Sequence, residues 1–140
     1  VGGRMAFPFG SLYHGSKYAV EGVSEALQYE LAPLGIKVRV VEPGAILTDF
    51  SGRSLQMSND AAVTEYQSLL QSVLEAYGEY MSAGSEPEKI AEVIFDAATD
   101  GSTRLRYAAG GDAVEMLAGR AAADDDKFFA SIKSQFGIAS

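Results

Sequence analysis

Tyr13 and Lys17 stand four residues apart at the head of an amphipathic stretch, a spacing that projects both side chains from one face of a helix. A phenol ionises near pH ~10, and bringing it within about two units of neutrality takes roughly 3 kcal/mol. An ammonium a few ångströms away is the physical means, because it favours the phenolate, and more strongly in a partly desolvated cleft. Such a pair would make Tyr13 a general acid/base for a carbonyl or an alcohol. The same pair also occurs on helices that carry no chemistry. His14 directly follows Tyr13, points about a quarter turn away, and reads as a surface or interface histidine.

The elements that must position this pair follow from periodicity. Ala19, Val20, Val23, Leu27, Leu31 and Leu34 recur at three and four residues, which draws one stripe on a helix from Ser11 to Leu34 and leaves Glu21, Glu25 and Glu30 off it. Pro33 is tolerated because the helix is ending, and Gly35 supplies the stop. Ile36, Val38, Val40 and Val41, with Lys37 and Arg39 between, predict a strand closed by Pro43-Gly44. A polar stretch from Asp49 to Asn59 then reads as a loop after a strand's carboxyl end, where loops cover ligands. Tyr66, Leu69, Leu70, Val73, Leu74, Tyr77 and Met81 predict a second helix. Ser85 with Glu88 suggests a capping box for a third, carrying Ile90, Val93, Ile94 and Ala97. A second strand is expected over about Thr103 to Ala109, followed by a Gly110-Gly111-Asp112 turn and short helical patterns, the last behind Asp124, Asp125 and Asp126. Two strands separated by two helices suit a parallel sheet, yet two strands make no stable sheet of that kind unaided. Further strands are therefore expected upstream of Val1, and the chain reads as the later part of a longer protein.

Two motifs in order carry a resemblance. Gly10-Ser11-Leu12-Tyr13-His14-Gly15-Ser16-Lys17-Tyr18-Ala19-Val20-Glu21-Gly22 resembles the catalytic-helix signature of the short-chain dehydrogenase/reductase family. Val41-Glu42-Pro43-Gly44-Ala45-Ile46-Leu47-Thr48 resembles its nicotinamide-side loop. The resemblance implies an α/β fold, the C-terminal part of a Rossmann-like doubly wound parallel sheet in three α/β/α layers, forming one domain over 1–140 with a lid region at about 49–84. It implies NAD or NADP as cofactor. Tyr13 would be the proton donor or acceptor, and Lys17 would lower its pKa and hydrogen-bond the nicotinamide ribose. The backbone after Pro43 and Gly44, around Ile46, and the Thr48 hydroxyl would hold the carboxamide and phosphate side. The family's catalytic Ser, its proton-relay Asn and its Gly-rich phosphate turn would fall upstream of Val1, and Ser11 is not a substitute for that Ser. The Tyr13–Leu34 helix resembles one that family members use for a two-fold interface, so a homo-oligomer is expected.

Composition narrows the remaining classes. The 140 residues carry 47% apolar and 21% charged side chains, which suits a folded domain, and a net charge of −8 repels phosphate backbones and anionic membranes. No nucleic-acid or membrane partner is expected. With no Cys and one His there is neither a thiol nucleophile nor zinc spacing, so no metal site is expected and a reducing cytoplasm is permitted. Asp60, Glu65, Glu75 and Glu79 read as a solvated face, and Gly110-Gly111 as a plain turn. Phe7, Pro8 and Phe9 serve either pocket lining or packing. The leading reading is an oxidoreductase that interconverts a small-molecule secondary alcohol and a ketone. A nucleotide-sugar epimerase or a cofactor-free halohydrin dehalogenase would keep the fold. Lys17, where the resembling dehalogenases carry Arg, speaks against the second, and Pro43-Gly44-x-x-x-Thr48 against the first. A noncatalytic or truncated member acting as a binding or assembly module is the reading from another class.

Overall fold

The computed structural model describes residues 1–138, in which helices and two strands alternate. The order is α1 (Ser11–Leu31), β1 (Val40–Pro43), α2 (Gln67–Ser82), α3 (Pro87–Thr99), β2 (Arg106–Ala109), α4 (Gly111–Ala122) and α5 (Asp125–Gln135). The strands pair in parallel, with Val40 opposite Arg106 and Pro43 opposite Ala109, as the α/β reading requires.

Both strands are shorter than the alternation predicts, and for the same reason. Side chains hold the residues that flank the ladder. The Val38 N–H donates to Gln28 Oε1 at 3.1 Å, and Arg39 Nε reaches Ala97 O at 3.2 Å, so pairing begins only where Val40 N donates to Leu105 O. On the other strand, Ser102 Oγ accepts from Arg104 N at 3.2 Å, and Arg104 Nε donates to Arg106 O, holding Thr103–Leu105 in a loop.

The helices follow the apolar spacing closely, with corrections at their ends. α1 gives way to a 3-10 turn at Ala32–Leu34, and Gly35 closes it at φ 71, a left-handed conformation that costs a glycine nothing. The Ser85–Glu88 capping box does not form. Ser85 is instead drawn into a parallel bridge with Ile46, and α3 starts at Pro87, whose missing N–H is harmless in a first turn. The expected Gly110-Gly111-Asp112 turn is the start of α4. Asp124 caps α5 by accepting from Lys127 N at 2.9 Å, with Asp125 and Asp126 in the first turn as the helix dipole favours.

Tyr107, Ala109 and Ala113 are buried where β2 meets α4, and Ile90 and Ala97 where α3 crosses the strands. α1 is different. His14 is its one buried residue, and the apolar stripe lies open, with Val20 56%, Val23 59% and Leu34 70% exposed. Charge ties α1 to the sheet: Arg106 Nε meets Glu21 at 3.0 Å and its NH2 group meets Glu25 at 2.6 Å. The same guanidinium lies 4.0 Å from Glu42, which is buried and also paired with Arg4 at 3.3 Å. Glu21 and Glu25, off the stripe by periodicity, are there because Arg106 faces them.

Candidate active site

The first turns of α1 set the catalytic candidates side by side. The Lys17 ammonium lies over the Tyr13 ring, 5.5 Å from its centroid, as the one-turn spacing dictates. Tyr13 is half exposed, and its ring packs on Phe50 at 6.0 Å and on His14 at 5.3 Å. His14 is not a surface residue. It is buried, its Nδ1 lies 2.9 Å from Gly2 O, and Phe7 meets its ring edge-on at 5.4 Å. Its role in the described residues is to seat the segment before α1 against the helix.

The phenol does not become more acidic here. Partial burial pushes the Tyr13 hydroxyl above its ordinary value, and the exposed ammonium over the ring face does not reverse that. Tyr77 is raised as well, by burial first and then by its nearness to Tyr13.

The second motif leads into the turn whose Phe50 touches Tyr13. Pro43 ends β1, and the Gly44 N–H makes the last sheet bond, to Ala109 O at 3.2 Å. A side chain at position 44 would overlap the Asp112 carboxylate, so only glycine fits. Ala45 and Leu47 then pair with Ser85: Ser85 N donates to Ala45 O at 2.9 Å and Leu47 N to Ser85 O at 3.0 Å. This hooks the chain outward and presents Ile46 to a cleft. Thr48 caps the short turn Asp49–Ser51, its Oγ1 accepting from Phe50 N at 3.3 Å. That cap is what sets Phe50 against Tyr13.

The cleft between this loop and α2 holds about 800 Å³ and is lined by Ile46, Thr48, Leu55, Met57, Tyr77 and Met81, among others. Thr48 and Asp49 supply polar atoms at one side, while most of the remaining wall is apolar. The sequence did not single out Asp112, Tyr80 or Ser85 as site residues. Asp112 Oδ2 accepts from Ala45 N at 2.8 Å and from Tyr80 OH at 3.0 Å, holding the loop from behind. The one local sign was an acidic residue at the end of a glycine pair, which also suits a turn. No group of three or more His, Cys, Asp or Glu among the described residues is arranged to hold a metal.

A family model described as short chain dehydrogenase matches residues 1–59, which contain both motifs. An uncharacterized oxidoreductase of Schizosaccharomyces pombe is 42% identical over 138 residues, covering 99% of this chain and 57% of the relative. A short-chain dehydrogenase from Streptomyces avermitilis superposes with a TM-score of 0.66 at 33% identity, covering 98% of this chain and 48% of that one. Residues 1–59 match the short-chain dehydrogenase family, and over nearly its whole length the chain is similar to oxidoreductases. Human 17-beta-hydroxysteroid dehydrogenase type 1 is a more distant relative, 30% identical over 111 residues, which are 76% of this chain and 34% of the relative. The chain thus spans little more than half the length of the first relatives named, at 57%. No helix of the described residues is long and apolar enough to cross a membrane.

Proposed function

We propose that the intact protein is an NAD(P)-dependent oxidoreductase that interconverts a secondary alcohol and a ketone. The observation that carries the reading is the Tyr13–Lys17 pair, with the ammonium 5.5 Å from the ring centroid, placed against the Phe50 turn of the Pro43–Thr48 loop. A cleft of about 800 Å³ beside that loop is lined by Ile46 and Thr48, though not by Tyr13 or Lys17, and the family resemblance makes it the place for a nicotinamide ring. When bound, the nicotinamide would supply or take up the hydride. In the direction of reduction, the Tyr13 hydroxyl would give its proton to the carbonyl oxygen, and in oxidation Tyr13 would take the alcohol proton back. A phenol of ordinary pKa ~10 is protonated at neutral pH, and burial pushes Tyr13 further in that direction, which suits the donor role. Lys17 supplies the cation that steadies the phenolate left behind and a donor for the ribose hydroxyls. The Ile46 backbone and the Thr48 hydroxyl orient the ring, a matter of position more than of charge.

Leu55, Met57, Leu74 and Met81 line one part of the cleft, and Thr48, Asp49, Ser51 and Ser82 another, which suits a substrate with both an apolar body and polar groups. Val20 and Val23 on α1 lie exposed, which supports a homo-oligomer built through this helix.

The decisive experiment is Tyr13→Phe in the intact protein. Turnover is expected to fall by at least about 1,000-fold, with cofactor affinity kept to within a few fold. Full activity in that variant overturns the reading. An intact parent protein that binds no reduced nicotinamide and oxidises no alcohol would favour a binding or assembly module instead.

A further inference from the structure

The sheet ends one residue before the loop that lines the cleft. The Gly44 N–H is the last donor to find a partner on β2, because beyond Ala109 that strand turns away into α4. The next donor, Ala45 N–H, sits in a residue only 2% exposed and must be satisfied by something other than water. Asp112 supplies the acceptor. Its Oδ2 lies 2.8 Å from Ala45 N, and Tyr80 OH donates to the same oxygen at 3.0 Å. The carboxylate is walled in as well. It fills the space that a side chain on Gly44 would need, and a side chain on Gly110 would come within 2.7 Å of Oδ1. From Ala45 onward the chain passes to Ser85, so Asp112 bridges the handover from the sheet to that second anchor.

We propose that Asp112 is a positioning residue for the reaction: its carboxylate fixes Gly44–Ala45 and thereby sets where Ile46 and Thr48 meet the nicotinamide. The inference rests on the reading of that loop as the cofactor's wall. The acceptor oxygen on Asp112 takes the place that a strand carbonyl would fill if the sheet continued, and so defines where the loop begins. Tyr80 holds the carboxylate's orientation from α2. Its phenol is pushed well up by burial and by Asp112 itself, which keeps it a donor. Asp112 touches neither substrate nor cofactor; it acts through the loop.

The test compares Asp112→Ala, Asp112→Asn and Tyr80→Phe in the intact protein, reading kcat at saturating cofactor, cofactor KM, and amide exchange at Ala45. Asp112→Ala is expected to lower kcat by about 10- to 100-fold, as small displacements of a reacting geometry do, and to speed exchange at Ala45. Asp112→Asn retains an acceptor oxygen and is expected to keep kcat within about three-fold of the parent. Tyr80→Phe leaves the Ala45 bond in place and is expected to have the mildest effect on kcat. Unchanged kcat and cofactor KM in Asp112→Ala overturn the proposal, and so does an Asp112→Asn variant as impaired as the alanine one. Should Asp112→Ala fail to fold, the asparagine variant decides: retained activity supports the proposal and lost activity ends it. A parent protein without oxidoreductase activity would defeat the functional reading instead, and unchanged Ala45 exchange in Asp112→Asn and Asp112→Ala alike would count against Asp112 even then.

Discussion

The stretch after β1 divides into two parts of opposite character. Ala45–Leu47 is anchored from two directions, by the Asp112 carboxylate and by the Ser85 backbone, over sequence separations that reach 67 residues. The part from Thr48 to Val63 is exposed throughout, and the bonds within it are local, such as Gly52 N to Asp49 O, Val63 N to Asp60 O and the Arg53–Asp49 ion pair. The contrast teaches that one loop performs two tasks. Its root must hold a ring in one place, and long-range bonds do that; its outer part must admit and release a ligand, and local bonds permit that.

The largest expected effect tests this contrast directly. Amide exchange at Ala45 and Leu47 should be slower than at Gly52 and Leu55 by about 100-fold or more, since the first pair is held by the distant Asp112 and Ser85 and the second opens by local fluctuation. Equal rates would erase the division.

Gly44→Ala comes next. The added methyl meets the Asp112 carboxylate, so stability should fall by about 1–3 kcal/mol in a thermal melt, as overpacking does. The loss should shrink in the Asp112→Ala background, where the space is free. A loss of the same size in both backgrounds would show that something other than Asp112 closes on position 44.

The smallest effect concerns Glu42, at the end of β1 just before the anchored root. Burial is the main reason its carboxyl is held above the usual range, with Glu21 adding to it and Arg4 and Arg106 opposing. An acid whose folded pKa is raised opposes folding once ionised, so its contribution improves as pH falls through the folded pKa toward the unperturbed value of ~4.3. Glu42→Gln should therefore flatten the stability profile between about pH 7 and that value. A variant profile parallel to that of the parent would mean that Arg4 and Arg106 fully offset the burial.

Much of this was legible in the chain. The stripe at Ala19, Val20, Val23, Leu27, Leu31 and Leu34 is helical as its spacing demands, the two strands are parallel, and Tyr13 and Lys17 share a face. Strand length was not legible, because Val38 and Arg39 look like strand residues until Gln28 and the Ala97 carbonyl are brought beside them. Nor was the burial of His14, which depends on Gly2 and Phe7 folding back over α1.

Local periodicity fixed which faces the helices present and placed a phenol one turn from an ammonium, since backbone geometry repeats within a few residues whatever the rest of the chain does. Only the tertiary structure decided that Tyr13 would be partly buried and that a carboxylate would occupy the place of a Gly44 side chain. Those outcomes depend on which distant groups close on a residue and how much water they displace, and a contact between Ala45 and Asp112 leaves no trace in the spacing of either one's neighbours.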